Sequence, residues 1–289
     1  MKVLVIGNGF IAEPVIHKLE SEGHQVLIFA RTYRSGIKSN QIIGDFLNFN
    51  DFAPVLKWKP QVIVHTGWVT AHGRYPEDPL NYLYSEFTIK LARYIVNTNI
   101  EHLIVLGTCA EYGLQSAPSV AGVTQLDPSS LYAMQKVHAY KECSKILAAA
   151  NIRFSWARIF QPYGLNQDSK RLIPYLIKSI KLGKQIELKD STTILDWITT
   201  RDIASAITWI IGNFSPTEVD IGTSVGYSNL DLLRHLESIL GNSSQWKRFT
   251  SQTLKAPHVS LVGKDSPLLK LGWRPSDNLS QGLEWVLRS

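Results

Sequence analysis

The sequence predicts an α/β fold, in which a doubly wound and mostly parallel sheet carries helices on both faces beside a smaller, discontinuous domain. Three observations predict this class. Strand-like and helix-like patterns alternate from the first residue to about residue 222. A glycine-rich turn joins the first strand to the first helix. The 289 residues, of which 44% are hydrophobic, are enough to bury a large core and a smaller second one.

The composition argues against several classes of protein. The two cysteines, Cys109 and Cys143, are too few for a disulfide scaffold or a cysteine metal cluster, and they suit a reducing cytoplasm. No apolar run approaches the roughly 20 residues that a membrane span needs, and the short apolar N-terminus indicates a buried strand rather than a secretion signal. The net charge of +6 comes from scattered cations, so we expect a solvated basic surface and no nucleic-acid interface. No metal-ligand spacing occurs, so we expect no metal site.

The first strand and the turn after it carry a nucleotide-binding motif. Val3 to Ile6 lead into Gly7-Asn8-Gly9-Phe10-Ile11-Ala12, the Gly-x-Gly-x-x-Ala variant of the dinucleotide fingerprint. Gly7 allows the tight turn, Gly9 leaves room for a pyrophosphate, and Ala12 lets the helix pack closely on the strand. The helix N-terminus offers free N–H groups and a positive dipole to the phosphates. We therefore predict a Rossmann-type domain whose fingerprint contacts to the cofactor come from Gly7, Gly9, Phe10 and Ile11.

The second predicted strand (25–29) indicates which dinucleotide binds. An NAD enzyme usually places an acidic side chain after this strand, to hold the ribose 2′-hydroxyl. This chain has Arg31 and Arg34 there instead, and guanidinium groups suit a 2′-phosphate. We therefore predict NADP(H), with NAD(H) as the alternative if both arginines are ordinary loop residues.

The third and fourth predicted strands (41–43 and 61–65) add further candidates. Asp45 follows the third strand and is a candidate for the adenine edge, or else an exposed loop aspartate. Thr66 and Gly67 follow the fourth strand, where Gly67 would let the backbone approach the cofactor. The stretch from Thr66 to Pro76 is rich in glycine, histidine and aromatic residues, and we expect it to wall a substrate pocket or to be an ordinary loop. Its candidate substrate contacts are Trp68, His72 and Arg74.

A second motif lies on the long helix predicted from about Ser129 to Ala149. Tyr132 and Lys136 are four residues apart, so they lie on one helix face, one turn apart. A phenol has an ordinary pKa of about 10, and a nearby ammonium lowers this pKa by stabilising the phenolate. The tyrosine can then exchange a proton with a carbinol or carbonyl oxygen while hydride moves at a nicotinamide. Thr108, just after the fifth predicted strand (102–106), completes a candidate catalytic trio.

Together these motifs resemble those of the extended short-chain dehydrogenases/reductases, in the NAD(P)-dependent sugar-nucleotide epimerase/dehydratase superfamily. The resemblance covers nearly the whole chain. It rests on Gly7-x-Gly9-x-x-Ala12, Thr108, Tyr112-Gly113, Tyr132-x-x-x-Lys136, Arg158-Ile-Phe-Gln161-Pro-Tyr163-Gly164, Asp196-Trp197-Ile198-Thr199-Thr200-Arg201-Asp202 and Leu271-Gly272-Trp273-Arg274-Pro275.

The resemblance implies a role for individual residues. Thr108 would hydrogen-bond the reacting oxygen, Tyr132 would be the acid or base, and Lys136 would bind the nicotinamide ribose and tune Tyr132. The loop from Phe160 to Gly164 would border the nicotinamide and the substrate diphosphate, with Phe160 on the cofactor side. Cys109, Glu111 and Gln161 are further candidate contacts to a nucleotide sugar, and Lys170 and Arg171 would be partners of its phosphates.

Departures from the family pattern bear on the reaction. Similar 4,6-dehydratases carry Asp and Glu for the elimination where this chain has Cys109 and Ala110, which disfavours a dehydratase. Gln161 stands where Asn is common and Leu195 where Arg is common, which indicates that the diphosphate is held differently. The arginines after the second strand favour an enzyme that consumes NADPH over an epimerase that recycles one bound NAD.

The leading hypothesis is therefore reduction of a keto group on a nucleotide-activated deoxysugar by NADPH, and the chain most resembles the nucleotide-sugar 4-ketoreductases. An NAD-dependent nucleotide-sugar epimerase is the alternative. A dehydratase, or a non-catalytic cofactor-sensing or RNA-binding scaffold, is less favoured, because such scaffolds typically lose the Tyr/Lys pair. We predict a cofactor domain of residues 1–164 and 196–225, and a substrate domain of residues 165–195 and 226–289. By analogy with similar proteins we expect a homodimer that pairs helices 81–97 and 129–149.

Overall fold

The computed structural model describes residues 1–188, 193–213, 216–241, 246–248 and 260–288. In chain order its strands are β1 (Lys2–Ile6), β2 (Gln25–Ala30), β3 (Asn40–Ile43), β4 (Val62–His65), β5 (His102–Thr108), β6 (Arg153–Ile159), β7 (Gln161–Tyr163), β8 (Ile186–Leu188), β9 (Ile194–Thr199), β10 (Glu218–Ile221), β11 (Gly226–Ser228), β12 (Trp246–Arg248) and β13 (Ser260–Leu261). Its helices are α1 (Ala12–Ser21), α2 (Phe49–Phe52), α3 (Leu80–Ile95), α4 (Leu131–Ala149), α5 (Leu172–Lys181), α6 (Thr200–Gly212), α7 (Asn229–Leu240), α8 (Pro267–Lys270) and α9 (Leu279–Arg288).

Seven strands form one parallel sheet in the order β10-β6-β5-β4-β1-β2-β3. The order reverses between β1 and β4, and in such sheets ligands bind at the carboxyl ends of the strands beside that reversal. One face of the sheet packs against α1 and α6, and the other against α3 and α4. The predicted doubly wound α/β class is therefore confirmed.

A smaller sheet lies outside this core. β9 pairs with β11 in the antiparallel sense and with β13 and β7 in the parallel sense. The helices α5, α7 and α9 share an apolar core on this side of the molecule. The chain enters the smaller sheet at β7 and β9. The domain division predicted at 164/165 therefore comes just after β7. The division predicted at 195/196 falls inside β9. The domain boundaries themselves stay a prediction.

The start of α4 positions the predicted catalytic pair. Ser130 has extended backbone angles and its hydroxyl accepts a hydrogen bond from the Ala133 N–H, which is the usual N-terminal cap of a helix. The cap places Tyr132 in the first helical turn and Lys136 one turn further on. Ala133 and Ala139, both buried, let this helix pack closely on the sheet and on α3.

Within the described ranges, no helix combines the length and the apolar character needed to cross a bilayer. In the same ranges, we also find no cluster of three or more His, Cys, Asp or Glu side chains arranged to hold a metal ion.

Candidate active site

The structure brings the predicted catalytic trio together at the carboxyl end of β5. Thr108 ends the strand and caps the 3₁₀ turn that runs from Cys109 to Tyr112. The Tyr132 hydroxyl shares a hydrogen bond with the Thr108 side chain. Burial raises the pKa of Tyr132 above its ordinary value, although the hydrogen bond to Thr108 acts in the opposite direction. The phenol is therefore protonated at neutral pH.

Lys136 is buried beneath this pair. Its Nζ donates a hydrogen bond to the Leu106 carbonyl at 2.5 Å and lies 3.7 Å from the centre of the Trp68 ring system. Burial lowers the pKa of Lys136 to about 7, and the charge of Glu111 opposes this shift. The sequence led us to expect that Lys136 would lower the pKa of Tyr132. In this structure the ammonium faces Leu106 and Trp68, and the pKa of the phenol is raised.

Glu111 is buried, and every contact of its carboxylate is structural. Oε1 accepts the Thr108 N–H at 2.8 Å, and both oxygens lie 3.0 Å from the Trp156 indole nitrogen. Oε2 accepts the Nε–H of Arg158 at 2.7 Å. The structure therefore corrects the expectation that Glu111 contacts substrate, because this carboxylate is fully enclosed and already bonded.

Arg158 extends this buried network across the sheet. Its Nη1 donates to Glu218 of β10 at 2.6 Å, and its guanidinium stacks on the rings of Tyr112 and Tyr140. The Tyr112 hydroxyl donates to Asp220 at 2.8 Å. Burial raises the pKa of Asp220 to about 7, although the hydrogen bond from Tyr112 and the charge of Arg158 act in the opposite direction.

The cofactor fingerprint has the geometry that a dinucleotide needs. Gly7 has a φ of +100°, and a Cβ there would lie 2.6 Å from the Thr66 hydroxyl oxygen. A Cβ on Gly9 would meet no atom within 4 Å, so this glycine faces open space before the first turn of α1. Because Gly9 adds no side chain in front of the helix N-terminus, the residues fit a bound pyrophosphate.

The two arginines after β2 differ in their surroundings. Arg34 donates to the Glu13 carboxylate at 2.5 Å and to the Asn8 carbonyl at 3.2 Å, which ties this loop to the fingerprint. Glu13 Oε2 also accepts a hydrogen bond from Asn166 at 3.3 Å. Arg31 is exposed beside the Phe46 ring and forms no ion pair with any residue that the structure describes.

Other predicted cofactor contacts have local structural partners. Phe10 and Ile11 are half-buried, and Ile11 packs on the core. Asp45 is exposed, and its carboxylate accepts the Leu47 N–H at 3.1 Å. The Thr66 hydroxyl donates to the Ile6 carbonyl at 2.8 Å, beside the fingerprint.

Two further predicted cofactor contacts, Gly67 and Phe160, have packing roles within the protein. A Cβ on Gly67 would lie 2.8 Å from the Phe46 ring, so glycine is needed there for packing within the protein. The Phe160 side chain is buried against Gly222 and Gly263, and its N–H pairs with the Ile221 carbonyl. The ring of Phe160 is therefore part of the core, and its contact with a cofactor stays a prediction.

The predicted substrate contacts lie at different depths. Trp68 and Cys109 are buried, and the Gln161 side-chain amide lies 3.9 Å from the Cys109 sulfur. Burial and nearby carboxylates raise the pKa of the Cys109 thiol to about 12. His72 and Lys170 are exposed, as is Arg74.

Tyr75 is a site residue that the sequence did not single out. Its ring meets that of Tyr132 edge-on, with 5.0 Å between the ring centres. The Arg171 guanidinium stacks on Tyr75 at 5.4 Å and donates to the Thr70 carbonyl at 3.3 Å. Tyr75 lies in the 66–76 stretch that was expected to wall the pocket, but no spacing distinguishes it from the other aromatic residues there. The predicted phosphate partner Arg171 is thus connected to the catalytic tyrosine through one ring.

The fold, the fingerprint and the Thr108/Tyr132/Lys136 trio together define an NAD(P)-dependent enzyme of the short-chain dehydrogenase/reductase type. The model of the NAD dependent epimerase/dehydratase family matches residues 3–222, and the chain belongs to that family.

Similar proteins from three bacteria cover nearly the whole chain. A UDP-glucose 4-epimerase of Lactobacillus helveticus is 26% identical, with 95% of this chain and 92% of that protein covered. A GDP-L-fucose synthase of Sinorhizobium fredii is 23% identical, with 98% and 93% covered. The crystal structure of a UDP-glucose 4-epimerase from Thermotoga maritima with UDP-glucose has a TM-score of 0.84 at 18% identity, with 100% and 98% covered. The chain thus resembles nucleotide-sugar enzymes over its full length.

The two fingerprint glycines offer a matched test of the cofactor site. We expect Gly7→Ala to lower the free energy of unfolding by roughly 1–3 kcal/mol, because φ is positive and the added carbon meets Thr66. We expect Gly9→Ala to leave stability within about 0.5 kcal/mol, since its Cβ meets no protein atom, but to weaken dinucleotide binding. Urea unfolding and titration with NADPH and NADH measure both. Unchanged dinucleotide binding by Gly9→Ala would contradict the predicted position of the pyrophosphate.

Proposed function

We propose that the protein reduces a keto group on a nucleotide-activated (deoxy)sugar, with NADPH as the hydride source and Tyr132 as the proton donor. The observation that carries the proposal is the exposed Arg31, unpaired within the described residues, beside the fingerprint loop and with no acidic residue in its place. A guanidinium there suits a 2′-phosphate. NADPH in turn suits an enzyme that consumes reduced cofactor.

The protonation state of Tyr132 supports reduction. A reductase needs an acid that protonates the developing alkoxide, and a buried phenol whose pKa is raised keeps its proton for that step. Thr108, hydrogen-bonded to Tyr132, would hold the substrate oxygen beside the phenol. The bound nicotinamide would supply the hydride, while Lys136 would hold the ribose hydroxyls from below. Removing a proton from a sugar alcohol, by contrast, requires the phenolate.

The residues beside Thr108 do not favour elimination of water. Cys109 and Ala110 stand where similar dehydratases carry Asp and Glu. The Cys109 thiol has its pKa raised to about 12, and the next carboxylate along the chain, Glu111, is bound to Arg158 and Trp156. Neither side chain is suited to exchange protons with a sugar carbon.

For the nucleotide sugar, we assign Arg171 and Lys170 to the diphosphate and Gln161 to the sugar end. Arg171 immediately precedes α5, and its guanidinium stacks on Tyr75, whose ring contacts that of Tyr132. Lys170 is exposed beside it. Trp68 and Cys109 are buried, so their part would be to shape the pocket wall.

A direct assay tests the reaction. We expect purified protein to oxidise NADPH when given a 4-keto-6-deoxy nucleotide sugar, measured as loss of absorbance over several nucleotides. Tyr132→Phe should lower turnover at least 100-fold while keeping the melting temperature, because the proton donor is lost. Tyr82→Phe, which removes an exposed hydroxyl on α3, is the matched control and should have wild-type turnover. Equal turnover by Tyr132→Phe and wild type would contradict the assigned role.

An epimerase is the second candidate, because a 26% identical relative over nearly the full length is a UDP-glucose 4-epimerase. An epimerase would return its cofactor to the starting state in each turnover, so NADPH absorbance would stay constant while the sugar changed configuration. NAD that copurifies with the protein would also favour it. A non-catalytic scaffold would show no turnover of either kind, and Tyr132→Phe would then leave its cofactor binding and partners unchanged.

The two arginines should separate cofactor choice from loop structure. We expect Arg31→Ala to weaken NADPH binding about tenfold or more, since a charged hydrogen bond to phosphate contributes roughly 1.5–3 kcal/mol, and to leave NADH binding nearly unchanged. Arg34→Ala should weaken both cofactors, because Arg34 holds Glu13 and the Asn8 carbonyl. Lys38→Ala removes an exposed cation of the same loop and is the control. Tighter binding of NADH than NADPH by the wild type would count against the NADP assignment.

We also propose that the enzyme is a cytoplasmic homodimer formed by α3 and α4. Both cysteines are free, and the two helices pack together with Tyr82, Leu83 and Met134 exposed. Leu83→Glu should convert the dimer to a monomer in sedimentation experiments, because a charge would be buried in the interface. Leu182→Glu, at an exposed leucine after α5, should sediment like the wild type. A wild-type monomer at micromolar concentration would contradict this proposal.

A further inference from the structure

Trp68 lies directly beneath the catalytic lysine. The Lys136 Nζ is 3.7 Å from the centre of the Trp68 ring system, which is close for a cation over an aromatic face. The indole is buried and meets the rings of Tyr84 and Tyr132 at 5.7 Å and 6.4 Å. The Lys136 ammonium therefore lies against the face of the buried Trp68 indole.

The orientation of Trp68 is fixed by hydrogen bonds. Its indole N–H donates to the Asn81 side-chain oxygen at 2.8 Å. The Asn81 amide nitrogen in turn donates to the carbonyls of Tyr75 and Asp78, at 2.7 Å and 2.8 Å. Asn81 is fully buried in the first turn of α3. The indole face thus points at Lys136 because Asn81, at the start of α3, binds the indole N–H.

The rest of the lysine environment offers little polar support. Among the described residues, the Leu106 carbonyl is the hydrogen-bond acceptor of Nζ, at 2.5 Å. The Trp156 and Tyr132 rings lie 5.7 Å and 6.0 Å away. An ammonium has three donors, and a buried one that lacks acceptors loses its proton readily. The aromatic face of Trp68 replaces part of the missing solvation.

We propose that Trp68 is a positioning residue for the proton-transfer pair, which holds the Lys136 ammonium in place and keeps it charged through its indole face. The inference rests on the proposed role of Lys136 at the cofactor ribose. It requires an aromatic side chain at position 68, and it assigns Asn81 the part of orienting that side chain. Trp68 thereby acts on the catalytic lysine in addition to its proposed part in the pocket wall.

The charged and titratable groups around Lys136 are consistent with this role. Glu111, in the turn after β5, favours the ammonium but is already paired with Arg158 of β6. His65 of β4 is neutral, because burial and Lys136 lower its pKa to about 3. Tyr132 on α4 and Tyr84 on α3 are neutral phenols with raised pKa values. With the Lys136 pKa at about 7, loss of the indole face would leave the lysine largely uncharged at neutral pH.

The test compares Trp68→Phe and Trp68→Leu with the wild type by NADPH fluorescence titration from pH 5 to 9. Wild-type affinity should fall as the pH rises through the Lys136 pKa, and Lys136→Met should remove this dependence. We expect Trp68→Leu to move the fall to lower pH by about one unit, and Trp68→Phe to move it less, because a smaller ring retains part of the attraction. Trp58→Leu is the matched control, since it removes a cation–π pair with Lys2 at 5.3 Å, far from the site.

The same variants separate this proposal from the reaction itself. The binding titration needs no sugar, so it decides the role of Trp68 even if no keto sugar is reduced. Where turnover is found, kcat of Trp68→Leu should show the same shift in pH profile with little change in the KM of the sugar. If Trp68→Leu does not fold, the shift between Trp68→Phe and the wild type decides. A folded Trp68 variant whose pH profile matches the wild type overturns the proposal.

Discussion

The carboxylate of Glu111 joins the active-site ends of neighbouring strands, and the position of Thr108 depends on it. It accepts the Thr108 N–H, the Trp156 indole N–H and the Arg158 guanidinium, and Arg158 then reaches Glu218 on β10. Both partners of the ion pair are fully buried, so the removal of either one leaves an uncompensated charge, at a typical cost of 3–5 kcal/mol. Gly107 is part of the same arrangement, since a Cβ there would lie 2.3 Å from the Trp156 nitrogen.

Burial sets the protonation of the catalytic residues beside this network. Burial favours the neutral form of every ionisable group, so it raises the pKa of Tyr132 and lowers that of Lys136. The two shifts act in opposite senses on the pair, because the phenol holds its proton more tightly and the ammonium holds its own less tightly. The protonation of the two residues then depends on their hydrogen bonds to Thr108 and Leu106 of β5. It also depends on the aromatic face of Trp68, in the loop after β4.

The sequence predicted the features that depend on short-range pattern. The starts of β2 and β5, the turn at Gly7 and the helical register of Tyr132 and Lys136 follow from apolar runs, glycine positions and a four-residue spacing. Features that depend on which way a side chain turns could not be read in this way. Glu111 follows Thr108 closely in sequence yet points into the core, because Arg158, 47 residues further along, is its partner.

The same reason explains Gly67 and Lys136. Gly67 was assigned to the cofactor because it follows a strand at the expected edge, whereas its lack of a side chain also accommodates Phe46 from the loop after β3. The i to i+4 spacing placed Lys136 on the face of Tyr132 but could not reveal that the Leu106 carbonyl and the Trp68 ring would take its ammonium. Tyr75 was missed because an edge-on ring contact leaves no periodic signal.

Glu13 links the loop after β2 to the loop before α5. One oxygen of its carboxylate accepts hydrogen bonds from Arg34, beside the fingerprint, and from Asn166, in the loop that leads to α5. Any ligand that draws Arg34 away changes the charge that Asn166 experiences, and any ligand that moves the 166 loop changes the partner of Arg34. Such a coupling is reciprocal by thermodynamic necessity, so each ligand would alter the affinity of the other by the same factor. The loop after β2 and the loop before α5 thus meet at a single carboxylate oxygen.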